Sequence, residues 1–262
     1  MKNLNNKILS ILSIGALSIM VTACGSNSAS SKSKSVEGGK IEQISIKTDG
    51  QNIELRPTDG SNVKVKMKSD EELPVKVDGN SLAVDIGESS KFINFKTETL
   101  YVDLPSDMYK KISLETQSGN ITGENLKAEN LLLTSDSGNI DIDGYEGKKV
   151  TGDVVAGNVK FNSASGDFDL NNETGDITIS HKGSFNSDSN LFTQSGKINL
   201  SFNGKPDNLK IEAVTESGKI NTTLFPSEDI TEKSGGNQLN SKLGSSGPVL
   251  SVRSSSGNIK LD

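Results

Sequence analysis

The tetrapeptide Ser-Gly-polar-Ile returns along this chain at nearly fixed intervals, and no other feature restricts the fold so strongly. It stands as Ser118-Gly119-Asn120-Ile121 and Ser137-Gly138-Asn139-Ile140, then loosely as Ala156-Gly157-Asn158-Val159 and Thr174-Gly175-Asp176-Ile177. It returns as Ser195-Gly196-Lys197-Ile198, Ser217-Gly218-Lys219-Ile220 and Ser256-Gly257-Asn258-Ile259. Successive glycines are 19, 19, 18, 21, 22 and 39 residues apart, the last step close to two periods. A period of about 20 marks a repeat architecture whose units are too small to bury a core alone. Stacked units share ladder hydrogen bonds and seal one another's apolar faces, so stability belongs to the array.

The residues around each motif alternate apolar and polar, the signature of a half-buried strand. Ile112 and Leu114, Leu131 and Leu133, and Leu250 and Val252 precede a turn; Ile140 and Ile142, Val159 and Phe161, and Ile198 and Leu200 follow one. The alternation begins upstream, with Ile44 and Ile46, Ile53 and Leu55, Val63 and Val65, and Leu82 and Val84, divided by Asp49-Gly50, Asp59-Gly60 and Asp78-Gly79. No stretch carries a helical apolar stripe. An extra half unit, Ser165-Gly166-Asp167-Phe168, falls between two full ones. The class is all-β. Two topologies fit: a β-solenoid resembling a right-handed β-helix, in which glycine takes positive φ at a coil corner, or stacked antiparallel hairpins with Gly-Asn turns. The near-constant period and the small residue before each glycine favour the solenoid.

Leu100-Tyr101-Val102-Asp103-Leu104-Pro105, followed by Ile112-Ser113-Leu114-Glu115-Thr116-Gln117-Ser118-Gly119-Asn120-Ile121, resembles a bacterial family of adhesin-like repeat domains that includes the LiaG-like envelope-stress proteins. Thr134 to Ile140 and Thr215 to Ile220 repeat the Thr-x-Ser-Gly-x-Ile unit, and the likeness covers residues 40–262. Ala156, Lys197 and Lys219 depart from the unit. The resemblance implies an exported β-repeat domain and brings no catalytic residues with it.

The first 23 residues read as a signal peptide: Lys2 and Lys7 precede an apolar run from Ile8 to Val21, too short to span a bilayer comfortably. Val21-Thr22-Ala23-Cys24 resembles the lipobox of bacterial lipoproteins, which implies lipid on Cys24, the only cysteine, and cleavage before it. Residues 24–39, rich in Ser, Lys and Gly, then form the anchor and a flexible tether, and residues 40–262 the β-repeat domain. The expected location is the extracytoplasmic face of the cell membrane.

From Cys24 onward the chain carries 26 basic and 34 acidic residues, a net charge of −8. That argues against nucleic acid as a partner. Chemistry is sparse. His181 is the only histidine and reads as a surface residue at a turn, without a Gly-x-Ser-x-Gly elbow. With Cys24 lipidated, zinc sites of the usual kind have no ligand set. Acids gather as Asp141, Asp143 and Glu146, and as Asp167, Asp169, Glu173 and Asp176. They alternate with aliphatics as solvated strand faces do, which weighs against Ca²⁺ binding or a paired-carboxylate hydrolase. The expectation is a non-enzyme without cofactor or metal, a scaffold whose exposed Ser, Thr, Asn and Lys ladders meet a cell-wall glycan or an envelope protein. A polysaccharide-active enzyme and a structural spacer are the alternatives.

Overall fold

The computed structural model describes residues 31–87 and 98–262, so the stretch read as a signal peptide and Cys24 lie outside the described residues. The strands run in chain order as β1 (Ser31–Glu37), β2 (Gln43–Thr48), β3 (Asn52–Thr58), β4 (Asn62–Lys68), β5 (Val75–Asp78), β6 (Ser81–Asp85) and β7 (Thr99–Pro105). Next come β8 (Tyr109–Thr116), β9 (Ile121–Ser135), β10 (Ile140–Ala156), β11 (Val159–Ala164), β12 (Asp167–Thr174), β13 (Ile177–Lys182), β14 (Ser189–Ser195) and β15 (Ile198–Asn203). The remainder are β16 (Leu209–Ser217), β17 (Ile220–Thr222), β18 (Ile230–Lys233), β19 (Gly236–Leu243), β20 (Val249–Ser256) and β21 (Ile259–Leu261).

These strands form a flattened β-solenoid with two faces. The front face carries the strands before each glycine corner, in the spatial order β5, β6, β2, β8, the end of β9, the end of β10, β12, β14, β20, β16, β19, β18. The back face carries those after it: β1, β4, β7, β3, the starts of β9 and β10, β11, β13, β15, β21, β17. Coil meets coil in parallel register, which decides for the solenoid over stacked hairpins. Among the described residues, antiparallel pairs occur only toward the two ends of the stack, where they flank the parallel coils.

The inward columns are the residues the alternation picks out. Ile53, Ile121, Ile140, Val159, Ile177, Ile198, Ile259 and Ile220 follow one another in register along the back face, all buried. Ile44, Ile112, Leu131, Val150 and Phe168 do the same on the front. Each such side chain contributes roughly 1.5–3 kcal/mol of burial.

The glycine column owes its composition to close approach. A Cβ on Gly138 would stand 1.8 Å from the Gly119 carbonyl oxygen, and one on Gly119 would stand 2.0 Å from that of Gln51. The same clash recurs from Gly157 to Gly138, Gly175 to Gly157, Gly196 to Gly175 and Gly257 to Gly196. Positive φ, expected at every corner, is absent from Gly119, Gly138, Gly196 and Gly218. Two ladders flank this column. Three residues before the corner glycine, in most coils, a buried polar side chain satisfies a corner carbonyl: Ser135 Oγ donates to Gly138 O (3.0 Å), Asn172 Nδ2 to Gly157 O (2.9 Å), Thr193 Oγ1 to Gly175 O (3.0 Å) and Ser254 Oγ to Gly196 O (2.9 Å), whereas Val154 holds this place before Gly157. One residue after the glycine, a carboxamide or carboxylate accepts the main-chain N–H of the next coil. The chain of acceptors runs from Asn52 to Asn120, Asn139, Asn158 and Asp176, over distances of 2.8–3.0 Å.

Three sequence expectations change. The stretch read as tether through residue 39 includes β1, which pairs antiparallel with β4 from Ser31 opposite Lys68 to Glu37 opposite Asn62. An edge strand needs little apolar content of its own when its partner supplies Val63, Val65 and Met67 to the core. The 39-residue step is not two periods. The chain leaves β17, forms the antiparallel hairpin β18–β19, and returns inward, so that β20–β21 lies between β14–β15 and β16–β17. The half unit at Ser165 marks the opposite corner of a coil, where Ser163 and Gly166 take φ of 53° and 103° and the chain enters β12.

Candidate binding surface

Side chains that point away from the core form rows crossing the coils, with one residue per coil every 4.8 Å or so. On the back face one row runs Tyr101, Glu54, Thr122, Asp141, Lys160, Thr178, Asn199, Lys260. A shallow depression of about 380 Å³ opens on this face, lined by Glu54, Thr122, Gly123, Glu124, Asp141, Asp143, Lys160 and Asn162. Four carboxylates face one ammonium there, and Lys160 Nζ lies 3.2 Å from Asp141 Oδ2. Both members of that pair are about half exposed (47% and 48%), so it steers charge more than it stabilises the fold. Beside it Arg56 lies over the Tyr101 ring at 4.2 Å and hydrogen-bonds Glu54.

The acids grouped by sequence are separated by the fold. Asp141 and Asp143 share the back-face depression. Glu146 lies past the corner at Gly144, within 3.9 Å of Lys127. Asp169 projects from the front face, 3.6 Å from Lys149. Asp176 is spent in the corner ladder, and Glu173 is exposed near the end of β12. Asp167 is buried and structural: it accepts the N–H groups of Asn186 (2.7 Å) and Ser187 (3.1 Å) and the Ser187 hydroxyl (2.6 Å), pinning the loop that leads into β14. Among the described residues no group of three or more His, Cys, Asp or Glu side chains is arranged to hold a metal ion.

His181 is not a surface residue. It is fully buried on β13, stacked on Phe185 at 4.2 Å and met edge-on by Phe168 and Phe202. Its Nε2–H donates to the Gly166 carbonyl at 2.9 Å, which fixes the neutral tautomer and leaves Nδ1 without a hydrogen-bond partner. Burial holds the ring's pKa below the ordinary histidine range. Tyr145, Phe161 and Phe168 continue the cluster edge-to-face. Sequence reading placed His181 at a turn because Lys182-Gly183 follows it; its alternation with Ile177 and Ile179 is the signal that it faces inward.

The corner ladder and the parallel register together describe a repeated unit. The Toastrack DUF4097 family matches residues 41–151 and, overlapping, 109–262. The chain belongs to this family. No curated protein matches it. Among solved structures, this Toastrack chain is similar to a "putative adhesin" from Bacteroides fragilis, at 16% identity over 90% of this chain and 98% of that one, with a TM-score of 0.46. It is also similar to a "putative cell adhesion protein" from Clostridium sporogenes, at 14% identity over 88% and 97% with a TM-score of 0.40. A third, from Parabacteroides distasonis and likewise called a putative adhesin, is 11% identical over 88% and 96%, with a TM-score of 0.34.

Proposed function

We propose that this Toastrack protein is a non-catalytic binding scaffold of the cell envelope, held at the extracytoplasmic face of the membrane by lipid on Cys24. Its role is adhesin-like, in the manner of the LiaG-like envelope-stress proteins that its repeats resemble. The observation that supports this reading is the register of the outward rows. Amide, hydroxyl and charged side chains are held at one-coil spacing by ladders that fix each coil against the next, a preorganised polar face that loses little entropy on binding. A cell-wall glycan presents repeating hydroxyl and amide groups that such a face can meet coil by coil.

The test is cosedimentation of residues 31–262, the range that includes β1, with purified cell walls of the source organism. Saturable binding that survives moderate salt is expected, and Asn and Thr replacements along one back-face row should weaken it. A folded protein that stays in the supernatant would leave the spacer role standing instead. The anchor is tested separately: labelled palmitate should enter the full-length protein and be lost in Cys24→Ser.

A further inference from the structure

The coil formed last along the chain is not the outermost coil in space. β20 pairs in parallel with β14 on one side, Leu250 opposite Ser189, and with β16 on the other, Val249 opposite Lys210. β21 lies likewise between β15 and β17. Every one of these partners stands at least 39 residues earlier in the chain. The strand that precedes it, β19, pairs with β16 and β18 and not with β20. The link between them is Gly244-Ser245-Ser246-Gly247-Pro248, exposed through residue 247. Gly244 has φ of +71°, and the link lies against Asn208, whose Oδ1 accepts the Ser245 N–H at 3.3 Å. The coils of β9 and β10 have no such hinge, because each of these strands runs from the back face of one coil into its front face without a break.

The slot recognises its occupant by chemistry that any copy of residues 249–262 carries. Two parallel ladders read the main chain. Gly257 fits against the Gly196 carbonyl oxygen, where a Cβ would come within 1.9 Å. Ser254 Oγ donates to that same carbonyl at 2.9 Å, Thr215 Oγ1 donates to Gly257 O at 2.8 Å, and Asn258 Oδ1 accepts the Lys219 N–H at 2.9 Å. We infer that residues 249–262 are an exchangeable insert, and that the slot between β14–β15 and β16–β17 also takes this segment from a second copy of the chain. Exchange conserves every contact of the closed form and changes only the path of the hinge, which is the condition for a swapped assembly. Copies held side by side would thereby join through a parallel coil rather than through a surface patch.

The experiment uses full-length chains carrying Cys24→Ser. Asn190 and Ser251 are register partners on the outer side of β14 and β20. Neighbouring parallel strands bring such a pair within disulfide reach. One chain carrying both N190C and S251C reports the closed form as an internal disulfide. Two chains, one with each substitution, are mixed and refolded together; a disulfide between them forms only where the insert crosses from one copy to the other. Deleting residues 245–247 shortens the hinge and should shift monomer to dimer by light scattering, with cross-linked heterodimer at least tenfold above that of the full-hinge pair. Folded monomers after the deletion, or oligomers lacking the disulfide between N190C and S251C, would overturn the inference. If the shortened chain does not fold, the full-hinge pair refolded at high concentration decides, and absence of heterodimer there also overturns it.

Discussion

Between residues 109 and 203 the order of coils in space is their order along the chain, whereas at both ends it is not. In the middle, β8 to β15 wind coil upon coil, each corner glycine from Gly138 to Gly196 meeting the glycine one period earlier. Toward one end β2–β3 lies between β6–β7 and β8–β9; toward the other β20–β21 lies between β14–β15 and β16–β17. The motif specifies how one coil sits on another without specifying which coil. The ends exploit that freedom by burying a segment one coil deep and closing with short antiparallel strands. At these edges stand four-residue β5 and β18, bearing Lys76, Asp78 and Glu232, the kind of edge that resists further strand addition.

The comparison is broken most severely by removing residues 249–262. A plain solenoid trimmed by one terminal coil keeps the rest. Here the deletion leaves β14 and β15 facing β16 and β17 across an empty slot, with both ladders open and Leu250, Val252, Ile259 and Leu261 gone from the core. We expect β14 through β19 to lose protection in amide hydrogen exchange as one unit, while β8 through β13 keep theirs. Protection of β16–β19 in the truncated chain would show that the inserted coil is dispensable, and the contrast between middle and ends would fail.

A smaller break is available inside the regular region. Gly138→Ala forces a methyl group to within 1.8 Å of the Gly119 carbonyl oxygen, main chain that cannot yield without displacing a coil. The expected cost is about 3 kcal/mol or more in urea titration. Gly79→Ala, at φ of +54° with nothing within 4 Å, should cost only about 1 kcal/mol, the strain of a left-handed residue. Similar costs at the two sites would mean that backbone conformation, not close approach, selects glycine in the motif.

His181 separates the two edges of the coil by pH. The glycine edge carries amides, hydroxyls and the Asp176 carboxylate; the opposite edge packs a neutral imidazole against Phe185. The folded-state pKa of that ring is pushed below its unfolded value of about 6.5 by burial. Above pH 6.5 or so neither state binds the proton and stability is flat with pH. As pH falls through that value the unfolded chain gains a proton that the folded one refuses. Stability then declines by up to about 1.4 kcal/mol per pH unit until the folded pKa is reached. His181→Phe should flatten the profile between about pH 6.5 and 5. An unchanged slope would show that His181 is not its source.

Much of this was legible in the residues. Alternation named the core strands correctly, because Ile140, Phe161, Ile179 and Leu200 all face inward and are buried. The period favoured the solenoid over stacked hairpins, and the parallel register of coil on coil decides it. The spatial order at the ends was not legible: a parallel ladder is read by main-chain groups, which are the same in every coil. β1 was hidden because Ser-Lys alternation carries no apolar signal when the partner strand supplies the core side. Adjacency in sequence also does not say which acids meet in space. Asp141 and Glu146 are close in sequence, but a corner lies between them, and the fold joins Asp141 to Glu54 and Glu124 instead.

The finest test concerns the acceptor ladder, the one element the middle has and the far end partly lacks. It runs unbroken from Asn52 to the N–H of Lys197, which Asp176 Oδ1 accepts at 2.8 Å. Lysine has no acceptor, so the N–H of Asn258 finds no side chain from the coil beneath it. The ladder resumes only where Asn258 accepts from Lys219. Lys197→Asn restores the missing link with the same geometry that joins Asn139 to Asn158 at 2.8 Å. A hydrogen bond at so exposed a corner is worth about 0.5–1 kcal/mol, and the urea midpoint should rise accordingly. The reverse change, Asn158→Lys, removes the acceptor for Asp176 in the regular region and should lower stability by a similar amount. Equal and opposite shifts would make the ladder additive along the edge. A loss at Asn158 without a gain at Lys197 would mean that the inserted coil sits too loosely against β14–β15 to use the bond, which is the looseness an exchangeable segment requires.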